Sequence, residues 1–126
     1  MRWFAGAMLL ALLSGCSKPQ PTLTGGKPLS HWVEALRSSP DAHMRKEAAF
    51  KKGNAGPADP TILPALVGAL KDRDSAVRCE TILALVKFGS AAREAAPALG
   101  DLRDHDRDPK VRSFAAKAFV KLQAQE

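Results

Sequence analysis

Between Leu29 and Gln123 the apolar positions recur at steps of three and four. Val77, Thr81, Ile82, Leu85 and Phe88 form one such stripe, and Val111, Ala115, Ala116, Phe119 and Leu122 form another. That spacing gives a helix one apolar face. No run sustains the alternation of a strand. Asp59-Pro60 and Asp108-Pro109 are helix-start signals: the carboxylate accepts from a free backbone N–H, and proline suits the first helical position. Asp41 and Asp74 can cap in the same way, and Gly53, Gly56 and Gly89 fall where such helices end. The pattern predicts an all-α body with helices over Leu29–Arg37, Ala42–Lys52, Pro60–Lys71, Ser75–Phe88, Ala91–Arg103 and Pro109–Gln123.

These helices repeat. Asp41, Asp74 and Asp108 are spaced by 33 and 34 residues, and Arg45, Arg78 and Arg112 keep the same intervals. Pro64 and Pro97, Gly56 and Gly89, and Leu66 and Leu99 are each 33 apart. The pattern Pro-Ala-Leu…Leu-x-Asp…Asp-x-x-Val-Arg-x-x-Ala resembles HEAT repeats, in the short bacterial form also seen in phycobilin lyases. The resemblance covers about residues 28–123 and implies a short α-solenoid of three helix pairs. It further implies that each aspartate caps a second helix, that each arginine reaches an aspartate in an adjacent turn, and that Pro64 and Pro97 bend the first helices. The first copy departs from the pattern, with Met44 in place of valine. Lys52 stands where the next copy has Leu85, and Lys117 where it has Leu83. Terminal repeats need a polar outer side, so both lysines are expected to face solvent as end caps.

The first residues read differently. Arg2 precedes an uncharged run, Trp3 to Leu13, that is too short to span a membrane and suits the core of a signal peptide. The run closes on Leu13-Ser14-Gly15-Cys16, which resembles the lipobox of bacterial lipoproteins. The resemblance implies a signal peptide over 1–15, acylation of Cys16 (palmitate among the acyl groups) and attachment to the bacterial cell envelope. More than one acyl chain would hold the protein stably. Ser17 as second mature residue resembles an outer-membrane address, on the periplasmic side, rather than an inner-membrane one. Residues 16–28, with three prolines and two glycines after the cysteine, read as a flexible tether, and 29–123 as the repeat domain.

With 126 residues the chain is one small domain, too short for a barrel of eight βα units. Two cysteines make neither a disulfide framework nor a four-thiolate zinc site. His31, His43 and His105 show no ligand spacing and read as solvated turn residues, so no metal is expected. Cys79 follows Arg78 but has no partner base in view. There is no phosphate loop, nucleophile elbow or His-Glu-x-x-His, so neither catalytic activity nor a cofactor is expected.

Charge says more. The net charge is +6, and the second helices hold most of the excess: Arg45, Lys46, Lys51 and Lys52; Arg78 and Lys87; Arg112, Lys117 and Lys121. HEAT arrays bind along a concave face lined by second helices. A basic lining favours a protein partner with an acidic surface, an anionic lipid headgroup or a polyanion. The candidate contact residues are Lys46, Lys51, Lys87, Phe114 and Lys121, with Trp32, which reads first as core packing in a stripe with Leu29, Val33 and Leu36 and second as an exposed anchor. The expected role is a membrane-anchored interaction or scaffold module holding an unidentified envelope protein. The alternative is an accessory factor resembling the phycobilin lyases, which a signal peptide disfavours. Specific nucleic-acid binding is not expected, because export removes the substrate.

Overall fold

The structure, a computed structural model, describes residues 23–125. The expected signal peptide, Cys16 and the tether up to residue 22 lie outside the described residues. A short hairpin comes first, β1 (Leu23–Thr24) against β2 (Lys27–Pro28). Six α-helices follow: α1 (Leu29–Ser38), α2 (Ala42–Ala55), α3 (Ile62–Ala69), α4 (Ser75–Phe88), α5 (Ala96–His105) and α6 (Pro109–Gln123). A 3-10 segment, Gly89–Ala95, precedes α5. The helices pair as α1–α2, α3–α4 and α5–α6, and the second helices stack in the order α2, α4, α6. This is a short all-α solenoid. The core lies between the layers, where Trp32, Leu36, Ile62, Leu66, Val77, Ile82, Leu85, Leu99, Val111 and Leu122 are buried.

The caps follow the acidic residues. Asp41 accepts from the His43 N–H at 2.9 Å. Asp74 accepts from Ala76 and Val77 at 2.9 and 3.1 Å, and Asp108 from Lys110 at 2.8 Å. Asp41 and Asp108 each satisfy one orphan donor at the start of a second helix, and Asp74 satisfies two. Asp59 differs: it accepts from the Thr61 N–H and hydroxyl, making a turn, and α3 starts only at Ile62.

The arginines tie each repeat to the next. Arg45 donates through Nε and a terminal nitrogen to both oxygens of Asp72, at 2.8 and 3.1 Å. Arg78 repeats this on Asp106, with one bond of 3.0 Å and its Nε 2.9 Å from the other oxygen. That second contact is an ion pair without hydrogen-bond alignment. The same arginines also hold their own turns, donating to the carbonyls of Ser39 and Asp72. A parallel ladder runs along the turns, Arg73 to the Pro40 carbonyl and Arg107 to the Arg73 carbonyl.

Several expectations are corrected. Lys52 does not face solvent as an end cap. Its side chain is fully buried, and its ammonium donates to the Leu29 carbonyl at the start of α1. It occupies the core slot that Leu85 fills in the next repeat, and Lys117 alone of the two is exposed. Gly53 does not end α2, which runs on to Ala55. It sits at a close approach, where an added Cβ would lie 2.8 Å from the Ala84 Cβ of α4. Gly56 and Gly89 do terminate α2 and α4, at φ of 76° and 57°.

The prolines do not bend intact helices. Pro64 is the third residue of α3, where its missing N–H had no helical partner to lose. Pro97 lies at the second position of α5, and the chain before it winds as 3-10 instead of continuing one helix from Ala91. A proline ring clashes with the carbonyl four residues back, so an α-helix running through residues 91–97 is closed to this sequence.

The tether gives way at its last six residues. Residues 23–28 fold as a hairpin whose two-residue loop is Gly25-Gly26, at φ of 60° and 74°. Tight hairpin loops require positive φ, which only glycine adopts freely.

Candidate interaction surface

The second helices present one open face. Positions one repeat apart come to equivalent places on it. His43, Lys46, Phe50 and Asn54 on α2 correspond to Ala76, Cys79, Leu83 and Lys87 on α4, and to Lys110, Ser113, Lys117 and Lys121 on α6. Phe50 and Leu83 remain 45% and 41% exposed, which is unusual for large apolar side chains flanked by lysines.

The N-terminal halves of these helices frame a shallow groove of about 230 Å³. Lys46 comes from α2, Cys79, Glu80 and Leu83 from α4, and Lys110 and Phe114 from α6. The Lys110 ammonium stands 5.9 Å from the Phe114 ring. One turn beyond Leu83, Lys87 lies 4.9 Å over the Phe50 ring and donates to Asn54 at 2.8 Å. Lysines, interspersed with Glu80 and Asp108, thus rim an apolar floor. Such a surface can bury apolar side chains of a partner while its ammonium groups meet carboxylates at the rim.

Cys79, half-buried, is the groove's one thiol. Burial pushes it above the ordinary cysteine range, outweighing the attraction of Lys110 and Arg78. Its thiolate is therefore scarce at neutral pH, and its arginine neighbour does not make it a nucleophile.

The six residues singled out from sequence divide. Lys46 and Phe114 meet in the groove, while Lys87 and Lys121 occupy equivalent exposed places on α4 and α6. Lys51 is half-buried on the opposite flank of α2, its ammonium 6.0 Å from the Trp32 ring. Trp32 is the core residue that its stripe with Leu29, Val33 and Leu36 favours, 3% exposed, and its second reading as a contact anchor is corrected. Its indole N–H donates to the Thr24 carbonyl at 2.7 Å, and Lys27 covers the ring at 5.6 Å, so the hairpin seals it. Sequence reasoning missed Phe50, Leu83 and Lys110. Their one signal is in the comparison of repeats: Phe50 and Leu83 align with Lys117, and Lys110 aligns with Ala76. His31, His43 and His105 are exposed, and among the described residues no group of three or more His, Cys, Asp or Glu gathers around a common point. No helix among those residues is long and apolar enough to cross a membrane.

A family model described as HEAT repeats matches residues 29–119, from the start of α1 to the last turns of α6. No curated protein matches the chain.

Proposed function

We propose, starting from the chain's membership of the HEAT-repeat family, that it is a lipid-anchored interaction module of the bacterial envelope. HEAT repeats are commonly protein–protein interaction modules, and residues 29–119 carry that family pattern. The observation that bears the proposal is the open face of α2, α4 and α6, an apolar floor of Phe50, Leu83 and Phe114 rimmed by Lys46, Lys87 and Lys110. Its partner is a protein offering apolar side chains ringed by carboxylates. The face works by binding, without chemistry of its own, a role in keeping with the raised Cys79 thiol.

Anchoring rests on the sequence. Cys16 after an apolar run supplies the acylation site, with a linker of few residues before the hairpin. The address read from Ser17 is the periplasmic side of the outer membrane.

Two experiments test this. The first is fractionation of cells expressing the wild type and Cys16→Ala, with intact mass of the mature protein. A membrane pellet and an acyl mass gain, both lost on substitution, are expected. A soluble chain starting at Met1 overturns the anchor and brings back a cytoplasmic accessory factor. The second replaces Lys46 and Lys110 by glutamate. Loss of crosslinks between Leu83 and its envelope partner, with an unchanged melting temperature, is expected. Unchanged crosslinking overturns the face as the binding site.

A further inference from the structure

Each second helix carries a line of residues, four apart, that meets the following repeat. On α2 the line is Arg45, Ala49 and Gly53. Arg45 grips Asp72, Gly53 lies against Ala84, and all three are buried. On α4 it is Arg78, Ile82 and Val86. Arg78 grips Asp106, Ile82 is buried and Val86 half-buried. On α6 the same line is Arg112, Ala116 and Val120, and here it opens. Arg112 and Ala116 are half-buried, and Val120 is 66% exposed.

Arg112 is only half satisfied by the rule its predecessors obey. It donates to the carbonyl of its own turn, Asp106, at 2.6 Å, as Arg45 does to Ser39 and Arg78 to Asp72. Among the described residues no carboxylate takes the place that Asp72 and Asp106 take for the other two. The other end of the stack is closed. There the hairpin covers Trp32, and Gly25 rests on the Lys51 side chain.

We propose that this flank of α6 is a second docking surface, separate from the open inner face. Its occupant is an acidic helical segment of a partner protein that stacks on α6 as α6 stacks on α4. That segment places an Asp or Glu carboxylate on the Arg112 guanidinium, the planar fork that carboxylates meet with two bonds. Ala116 lets a helix approach closely and Val120 gives it apolar area to cover. Charge selects the occupant. Arg112 is the cation of this flank, helix α6 carries no acidic residue, and Lys110, Lys117 and Lys121 on its adjoining inner face extend the positive field. A second copy laid along α6 would set these cations against their own kind. A copy added head to tail would bring the closed end, with Lys27 and Lys51 at its hairpin. Both arrangements repel, and an acidic helix attracts.

The test uses the full chain in its native cells with a photoreactive benzoylphenylalanine at Val120, and separately at Leu83. Crosslinked peptides are mapped by mass spectrometry. The Val120 probe is expected to join a helix of another protein that carries Asp or Glu. Arg112→Glu should cut that adduct at least about tenfold and leave the Leu83 adduct unchanged. Exchanging the mapped acid for arginine should restore it in the Arg112→Glu chain. Arg112→Gln, which keeps a donor for the Asp106 carbonyl, serves if Arg112→Glu does not fold. An adduct with a second copy, no adduct from Val120, or one indifferent to Arg112 overturns the proposal.

Discussion

Replacing Lys52 by methionine should make the protein more stable at neutral pH. Lys52 is fully buried, and burial pulls its ammonium down from 10.5 to about 8, against a weaker opposing pull from Asp59. The group stays protonated at pH 7, so the fold carries a buried charge there. The gap between the folded and unfolded values corresponds to about 3 kcal/mol of destabilisation at that pH. Methionine keeps the unbranched stem and removes the charge, but loses the hydrogen bond to the Leu29 carbonyl, worth about 1 kcal/mol. The net gain expected for Lys52→Met is about 2 kcal/mol at pH 7, roughly a 10 °C rise in Tm for a domain of this size. The sign must change with pH. A folded chain that releases its proton before the unfolded chain gains stability as pH rises from about 8 to 10.5. Wild type should therefore catch up with the variant across that window and end slightly more stable above it. Urea unfolding followed by circular dichroism, at pH steps from 7 to 11, measures both chains under the same titration of all other groups. A difference that stays flat across the window, or a variant less stable at pH 7, refutes the argument.

Three further outcomes follow from other contacts. Gly53→Ala should lower stability by about 1–3 kcal/mol despite alanine's better helix propensity, because its methyl has no room against Ala84; thermal melts against a Gly68→Ala control decide it. Arg78→Met should cost about 3–5 kcal/mol by stranding the Asp106 carboxylate between turns, read as a drop in urea midpoint at pH 7. Trp32→Phe removes the donor that holds the Thr24 carbonyl, so amide exchange in residues 23–28 should accelerate while α3 to α6 keep their protection.

Much of the fold was readable because one period governs it. The acidic caps at Asp41, Asp74 and Asp108 recur with the helix starts, so α4 and α6 are found where their patterns place them, to the residue. What escaped depends on neighbours that no local pattern shows. Lys52 reads as polar and so as external, yet the first repeat takes it into the leucine slot because the α1 carbonyl lies within its reach. Trp32 reads as a helix-face aromatic. Its burial is completed by a hairpin whose signal, Gly25-Gly26, was absorbed into a stretch that otherwise looks like linker. The lysines of the inner face were visible as charge. The apolar floor between them shows only when repeats are compared, where Phe50 and Leu83 align with Lys117, since the stripes of their own helices point elsewhere.

The arginine ladder has a consequence for how the stack comes apart. Arg45 is completed by the second repeat's turn and Arg78 by the third's, so each unit's charge is neutralised by its successor. The coupling is a nearest-neighbour term with a polarity, as in a zipper whose teeth all lean one way. Melting the third repeat takes the carboxylate from Arg78, and melting the first takes the guanidinium from Asp72, so the second repeat loses one ion pair whichever end opens. Opening at either end therefore loosens the middle, and whatever settles on Arg112 adds a further tooth that holds the α6 end shut.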